Sequence, residues 1–373
     1  MHSHFHLLAL YRQLLDQPRV LARLLDRFGN AERVFEHAGL IDMHECGQRD
    51  PKLVYLNDDL EKQVKHDIRW LEVPGHYLIE LDDDRYPHHL KQIFDPPVVL
   101  FAKGNLAALD DRPIFVAMVG SRKATRLGLQ QARNLAADLS GSGIIVVSGL
   151  ALGIDAASHE GCLSVGGKTL AVLGAGCDKI YPARHHNLAE RICVDGLLIS
   201  EFPLGAIPYP ANFPRRNRVV AGMSRATIVV EAALRSGSLI SARLAAAEGR
   251  EVMAMPGLVT NPQARGCHYL IKDGAALIES AADVLNELGL SEQLILPLFN
   301  ASGSVESGAV EPGSVEARVL EQLTQGAMST DSLIECVGES AQTLNVCLVN
   351  LELLGYVHAS GGRFELSRSM ADK

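Results

Sequence analysis

Fully apolar stretches alternate with helical segments through the middle of the chain. From Ile114 onward, the predicted strands are IFVAMVG, IIVVSG, TLAVLG, GLLIS, ATIVVEA, EVMAMPG and AALI. Between them, the pattern predicts helices over 126–141, 153–165, 184–194 and 238–248. Strands that are apolar throughout are typical of a parallel sheet buried on both faces. The pattern therefore predicts an α/β fold with a Rossmann-like, mostly parallel sheet covered by helices.

The two ends of the chain follow other patterns. Apolar residues recur at helical spacing near the start, as at Leu7, Leu10 and Leu14, which predicts a small helical domain over 1–75, of the SAM or helix-hairpin-helix kind. The next segment, from Tyr86, is interrupted by prolines and contains the short strand VVLF. We treat this segment as a bridge that belongs to the Rossmann-like domain, 76–290.

The C-terminal region begins with a linker rich in Gly, Ser and Pro over 291–312. Three helical segments and two strands joined by Gly-Gly follow, which predicts a winged-helix-like domain over 313–373. A winged helix that reads DNA normally presents basic or polar side chains on its third helix. The segment 340–354 contains neither Lys nor Arg. A domain that binds a partner protein or packs within the chain is therefore favoured over one that reads DNA.

Composition excludes several classes of protein. Hydrophobic residues make up 47% of the 373 positions and charged residues 21%, as in folded globular proteins. No apolar run reaches the roughly 18 residues of a membrane-spanning helix, and the start MHSHFHLLALYRQ lacks the pattern of a secretory signal. The 7 cysteines include no C-x-x-C pair. We expect a cytoplasmic protein with reduced cysteines and no association with membranes.

The net charge of −9 would by itself argue against a nucleic-acid-binding protein. The charge is unevenly distributed, however. It is −5 over 1–112, +3 over 113–290 and −7 over 291–373. The predicted Rossmann-like domain is therefore basic, and its acidic neighbours account for the deficit.

In an open parallel sheet, ligands bind beyond the carboxyl ends of the strands. The segments that follow the predicted strands here are VGSRKATRLG, SGLALGID, LGAGCDKIYPARHH, SEFPLG and EAALRSGSLISA. The first places Gly120, Ser121, Arg122 and Lys123 where a strand meets a helix. Backbone N–H groups, a hydroxyl and a guanidinium at such a point suit a phosphate. In the last segment, the turn Ser236, Gly237 and Ser238 brings similar groups to the same edge.

The third segment carries Tyr181, Arg184 and His185, a stacking ring with basic or donor groups. Its glycines do not form G-x-G-x-x-G, so no dinucleotide cofactor is predicted, and its histidines lack metal-ligand spacing. The densest basic run follows in FPRRNR, where Arg215, Arg216 and Arg218 surround Asn217 and Phe213 adds a ring for base stacking. This favours contact with nucleic-acid phosphates over a solvated charge run.

Four ionisable groups permit a different function. Glu201 and Glu231 end predicted strands, and could act as catalytic carboxylates or fix nearby arginines in ion pairs, which we favour. Asp155 and His159 stand one helical turn apart, and could form an acid–base pair, although a structural histidine is favoured. No nucleophile–base pair, metal site or P-loop stands out, so a ligand groove is favoured over a reaction. The alternative is an α/β enzyme that acts on nucleotides or phosphoribosyl groups, with Glu231 or Glu201 as acid or base.

A series of motifs in this chain resembles the DprA/Smf family of DNA-processing proteins. In order, they are YPHHL, VGSR, SGLALGID, LGAGCDKIYP, SEFP, FPRRNRVVAG, SGSLISA, GREVMAMPG and GCHYLIKDGA, over about 85–285. The resemblance implies a non-enzymatic homodimer that binds single-stranded DNA through its Rossmann-like domain. It further implies that the protein protects incoming DNA in natural transformation and loads the RecA recombinase onto it.

The resemblance also implies site residues. The family's Gly-Ser-Arg corresponds to Gly120, Ser121 and Arg122, its arginine–asparagine loop to Arg215, Asn217 and Arg218, and its Ser-Gly-Ser turn to positions 236–238. The family's basic position after Tyr-Pro is occupied here by Ala183, and Arg184 follows it. No cofactor is implied.

Overall fold

The computed structural model describes residues 4–38, 56–110, 113–290 and 315–366, the last range with gaps at 325, 341–342, 345–346, 349–350, 352–355 and 361–362. The predicted linker, 291–312, therefore lies outside the described residues. The chain divides into two compact units, Met1–Leu296 and Pro297–Lys373. Within the described residues, no helix is long and apolar enough to cross a membrane.

The N-terminal residues form a cluster of helices, as the apolar spacing predicts. These are α1 (Phe5–Gln13), α2 (Pro18–Phe28), α3 (Ala31–Glu36) and α4 (Asp58–Leu71). Pro18 starts α2 at a position where the missing N–H costs nothing, and Gly29, at φ 82°, ends it. Asn57 caps α4 by accepting a hydrogen bond from the backbone N–H of Leu60, at 2.8 Å. The apolar faces of these helices meet in a core that also includes residues of the central sheet, such as Phe101 and Leu198, so the helices belong to the same compact unit as that sheet.

The centre of the first unit is a mostly parallel sheet, which confirms the predicted fold class. Its described strands are β1 (His76–Glu80), β2 (Val99–Gly104), β3 (Phe115–Val119), β4 (Ile145–Ser148), β5 (Thr169–Val172), β6 (Leu197–Ser200), β7 (Ala226–Val229), β8 (Glu251–Ala254) and β9 (Ala276–Leu277). They are arranged in the order β1-β2-β6-β5-β4-β3-β7-β8-β9. The pairs from β6 to β9 are parallel, whereas β1–β2 and β2–β6 are antiparallel.

Helices cover both faces of this sheet. They are α5 (His88–Lys91), α6 (Arg126–Gly141), α7 (Ile154–Ser164), α8 (His186–Asp195), α9 (Asn212–Met223), α10 (Ser238–Ala247), α11 (Arg265–Lys272) and α12 (Ala281–Glu287). Side chains of β3 alternate between two cores: Phe115 and Ala117 pack with α9 and α10, whereas Val116 and Met118 pack with α6 and α7. This two-sided burial explains why the strands are apolar at every position.

The bridge segment contributes to the sheet itself. The sequence predicts one strand there, at VVLF, but residues 76–104 supply both β1 and β2, in register from His76 opposite Lys103 to Glu80 opposite Val99. β2 then pairs with β6 from Phe101 opposite Ser200 to Gly104 opposite Leu197. The strand at 76–80 is missed because its apolar run, from Tyr77 to Ile79, is short and is flanked by the polar residues His76 and Glu80.

The second unit has the helices and strands of a winged-helix domain. Its described elements are α13 (Val315–Leu323), β10 (Met328–Ser329), α14 (Thr330–Val337), β11 (Val357–Ser360) and β12 (Arg363–Leu366). The strands pair in the order β10-β12-β11, and the predicted hairpin corresponds to β11 and β12. The predicted third helix lies partly outside the described residues, but Leu344, Leu348 and Leu351 are buried in the core of this unit.

Candidate nucleic-acid interface

The loops after β3, β4, β5, β6 and β7 meet at one edge of the sheet. Because these strands are parallel and adjacent, their carboxyl ends point the same way. Val119 pairs with Val229 at the ends of β3 and β7, and Val172 pairs with Ile199 at the ends of β5 and β6. All the segments that the sequence predicts to bind a ligand therefore lie along one edge, which we call the carboxyl edge.

Glu231 shapes the loop that follows β3. Its backbone oxygen accepts a hydrogen bond from the N–H of Ser121 at 2.7 Å, and its carboxylate accepts from the N–H of Thr125 at 2.9 Å and from the Thr125 hydroxyl at 2.5 Å. The Thr125 hydroxyl in turn accepts from the N–H of Gly128, which caps α6. We expected Glu231 to fix an arginine, but its partners are threonine and backbone amides.

These contacts change how the loop can hold a phosphate. The N–H of Lys123 donates to the Ser121 hydroxyl at 3.1 Å, so three amides of the loop 121–125 are engaged within the protein. The side chains of Arg122, Lys123 and Arg126 are exposed. Among the described residues, none of these three cations forms an ion pair. Phosphate contact at this loop is therefore better supported for the side chains than for the backbone.

Gly153 lets the β3 and β4 loops approach each other closely. It has φ +81°, and a Cβ atom placed on it would lie 2.1 Å from the backbone oxygen of Ser121. The N–H of Ile154 donates to this same oxygen at 3.2 Å. A side chain at position 153 would displace the loop that carries Arg122.

Arg216 holds the loops after β4 and β5 together from inside the protein. Its side chain donates hydrogen bonds to the backbone oxygens of Gly149 and Val172, and only 4% of the residue is exposed. Its Nε also donates to the Asn217 amide oxygen at 3.1 Å. Its burial differs from the predicted contact with phosphates, although the sequence carries a signal for it: Val220 and Met223 lie on the same helical face as Arg216.

The β5 loop displays a ring and a cation at the surface. Tyr181, Ala183 and Arg184 are all exposed. The Nδ1 atom of His185 lies 2.8 Å from the backbone oxygen of Leu150, which ties this loop to the β4 loop. His185 therefore positions the loop, and Arg184 offers a positive charge to solvent.

Phe213 connects the β5 loop to the β3 loop. Its ring centroid lies 5.9 Å from that of Tyr181 and 5.1 Å from the guanidinium carbon of Arg122. A Cβ atom on Gly174 would lie 3.1 Å from the Phe213 ring, so the glycine gives the ring its space. Two rings and a guanidinium thus form a single cluster on the carboxyl edge, a combination that suits stacked bases and their phosphates.

Arg215 and Arg218 form ion pairs within the protein. Both guanidinium groups contact the Glu201 carboxylate, which is 2% exposed, and Arg215 also lies 2.6 Å from Asp16. Arg218 donates to the backbone oxygen of Asp95 at 2.8 Å. We expected both arginines to contact DNA phosphates, but these charges are largely neutralised by carboxylates. Their observed role is to join α9 to the β6 loop and to the N-terminal helices.

The Ser-Gly-Ser turn lies between Glu231 and α10. The hydroxyls of Ser236 and Ser238 are 2.7 Å apart, and the N–H of Ser238 lies 3.3 Å from the Ser236 hydroxyl. Gly237 precedes the first residue of α10 and is exposed. Because β7 is the neighbour of β3, this turn extends the carboxyl edge beyond Arg122.

Asp155 and His159 are both buried and do not pair with each other. One carboxylate oxygen of Asp155 accepts from the N–H groups of Gly149 and Ala151, and burial raises the pKa of this carboxyl, with nearby Arg216 opposing the shift. The Nδ1 atom of His159 lies 2.7 Å from the Thr169 hydroxyl. The geometry supports a structural histidine rather than an acid–base pair.

Burial of His159 predicts a pH-dependent stability. Desolvation lowers the pKa of His159 to about 3, and nearby His185 and Arg216 act in the same direction. The unfolded chain binds a proton at this residue near pH ~6.5, so the unfolded state holds more protons and stability falls as pH drops below that value. We expect His159 to contribute a loss of about 1.4 kcal/mol per pH unit between pH ~6 and pH ~4.

Urea denaturation of the wild type and of His159→Asn at several pH values measures this contribution. Asp155 is common to both proteins, so the difference between their unfolding free energies isolates the histidine and should change by about 1.4 kcal/mol per unit. His186→Asn, at an exposed histidine, serves as the control. Parallel pH profiles for the wild type and His159→Asn would contradict the prediction.

Comparison with known proteins identifies relatives for both units. A model of the family described as DNA recombination-mediator protein A matches residues 77–289, and a model of the DprA winged helix domain matches 306–363. Protein Smf of Escherichia coli K12 is 38% identical over 310 residues, which cover 83% of this chain and 82% of that protein.

Two solved structures are also similar to this one. The crystal structure of DNA processing protein A from Streptococcus pneumoniae has a TM-score of 0.66 at 36% identity, and covers 77% of this chain and 98% of its own. The second is the structure of DNA processing protein A from Helicobacter pylori, which concerns the single-stranded DNA binding mode of that protein. It has a TM-score of 0.52 at 31% identity. That match covers 57% of this chain and 95% of the other.

Proposed function

The chain belongs to the DprA/Smf family of DNA recombination mediators, and we propose that it binds single-stranded DNA along the carboxyl edge of its sheet. The observation that carries the proposal is the cluster of Arg122, Phe213 and Tyr181, flanked by exposed Lys123 and Arg184. Aromatic rings with adjacent cations bind single strands through stacked bases and neutralised phosphates.

The proposal assigns different roles to the predicted site residues. Arg122, Lys123 and Arg184 contact phosphates, and Phe213 and Tyr181 stack with bases. Gly120, Ser121 and His185 shape the loops that carry these side chains. Arg215, Asn217 and Arg218 hold α9 in place, and Ser236, Gly237 and Ser238 offer hydroxyl and amide groups at the far end of the edge.

An open edge also suits this function better than a catalytic pocket. Glu231 holds the β3 loop and Glu201 is paired with two arginines, so both carboxylates of the alternative enzyme have structural partners.

The family supplies the wider context of the proposal. We infer that the protein acts as a homodimer in natural transformation, protects incoming single strands and delivers them to RecA. The C-terminal domain, which has a charge of −7 over 291–373, is assigned to contact with a partner protein rather than to DNA.

Fluorescence anisotropy with a labelled dT oligomer and a duplex of equal length tests DNA binding. We expect the oligomer to bind with an affinity that falls as salt rises, because bound cations replace counterions, and the duplex to bind much more weakly because its bases are already stacked. Absence of oligomer binding at low salt, or equal affinity for the duplex, would overturn the proposal.

A further inference from the structure

The loop between β6 and α9 presents two large apolar side chains to solvent. Ile207 is 68% exposed and Tyr209 is 61% exposed, and each is followed by a proline. Neither residue belongs to the sites predicted from the sequence. Exposed side chains of this size are normal when isolated, but a group of them next to a binding surface indicates a contact.

This loop is attached to the segment that carries Tyr181. The N–H of Gly176 donates to the backbone oxygen of Ala206 at 3.0 Å. The side-chain amide of Asn212 donates to the backbone oxygens of Gly174 at 3.1 Å and of Ile207 at 3.3 Å. Since Phe213 follows Asn212 directly, Ile207 and Tyr209 are carried by the same two connected segments as the Tyr181–Phe213 ring pair.

The charges on these segments favour a polyanion over an acidic or purely apolar partner. Arg184 is exposed on the β5 loop, and Arg122 lies against Phe213. The acidic residues of these segments are engaged. Glu201 pairs with Arg215 and Arg218. Asp178 accepts a hydrogen bond from the N–H of Gly205 at 3.0 Å and lies 3.5 Å from the Lys179 ammonium, whereas Arg122 and Arg184 are exposed to solvent.

We propose that Tyr209 and Ile207 form a second base-binding position for single-stranded DNA, which continues the stacking surface of Tyr181 and Phe213 beyond β5 and β6. The proposal rests on the proposed function. The Tyr209 ring stacks with one base, and Ile207 packs against the apolar face of a neighbouring base or sugar. This position lengthens the strand that the protein covers without adding a contact to a phosphate.

Binding of a dT oligomer and of an abasic oligomer of the same length separates stacking from phosphate contact. Both ligands carry the same backbone charge, but the abasic one has nothing to stack. For Tyr209→Ser in the full chain, we expect dT affinity to fall about fivefold to hundredfold, with affinity for the abasic oligomer and the salt slope unchanged. Ile207→Ser should act in the same direction, and Tyr209→Phe should retain wild-type affinity because it keeps the ring.

Val194→Ser is the matched control. Val194 is 67% exposed, but it lies near the end of α8, just before β6 begins, and therefore at the opposite edge of the sheet. This variant should bind both oligomers like the wild type. Circular dichroism of each variant checks that the exposed substitutions leave the fold intact.

Two results would overturn this inference while the proposed function stands. One is unchanged dT affinity in the Ile207→Ser/Tyr209→Ser double variant, which would point to a protein contact at the loop. The other is an equal loss on dT and abasic oligomers, which would show a backbone contact. If the wild-type chain itself fails to bind dT, both the inference and the proposed function are overturned.

Discussion

Replacement of Arg216 by methionine is expected to lower the free energy of unfolding by about 3–5 kcal/mol. The guanidinium donates to the backbone oxygens of Gly149 and Val172, and both would lose this donor inside the protein. The buried carboxyl of Asp155 would also lose the nearby positive charge that favours its ionised form. Because Arg216 joins the β4 and β5 loops, DNA binding should weaken as well.

Urea denaturation followed by circular dichroism measures this loss of stability. Arg133→Met is the matched control, since Arg133 is an exposed arginine of α6 that lies 2.7 Å from Glu160, and it should cost less than about 1 kcal/mol. Addition of Asp155→Asn to Arg216→Met should recover part of the loss, because it removes the uncompensated charge. A loss below about 1 kcal/mol in Arg216→Met would contradict the structural role.

The second large effect concerns DNA affinity. We expect Arg122→Ala to weaken dT binding about tenfold to hundredfold at low salt, because a charge-assisted contact contributes about 1.5–3 kcal/mol. The slope of log affinity against log salt should become shallower by about 0.7, the contribution of one phosphate on a single strand. Arg122→Lys should keep this slope but lose part of the affinity, since lysine lacks the planar group that lies against Phe213.

Anisotropy titrations at several salt concentrations test this expectation, with Arg133→Ala as the control for loss of an exposed positive charge on the same domain. An unchanged salt slope in Arg122→Ala would remove this residue from the phosphate path. Arg218→Ala gives a useful contrast: its guanidinium is paired with Glu201, so its removal should reduce stability more than it changes the salt slope.

The fold could be predicted because its signals are local. The apolar strands are recognisable from their own residues, since burial on both faces leaves no polar position in β3, as Phe115 to Val119 show. The capping residues and terminal glycines that mark the ends of helices, such as Thr125 and Gly29, are equally local signals. β1 was missed because a short strand with one buried position in HYLIE carries almost no pattern.

The ion pairs and hydrogen bonds of the site could not be predicted, because the residues that pair are distant in sequence. Arg215 contacts Asp16, which lies 199 positions away, and Thr125 contacts Glu231, 106 positions away. Sequence pattern showed that arginines cluster, but it did not show which charges are already neutralised within the protein. The sequence pattern also gave no signal for Tyr209, because its proposed role in base stacking depends on the position of its loop beside the segment that carries Tyr181.

The antiparallel pairing of β2 with β6 has a consequence for dissection of the protein. Without residues 76–104, β6 would become the terminal strand of the sheet, and the backbone groups that now pair between Phe101 and Ser200 and between Lys103 and Leu198 would be unprotected. An apolar strand with an open edge is a template for intermolecular pairing. A fragment that starts at Ile114, where the alternation of parallel strands and helices begins, is therefore expected to aggregate. A fragment that starts before His76 keeps β6 paired with β2.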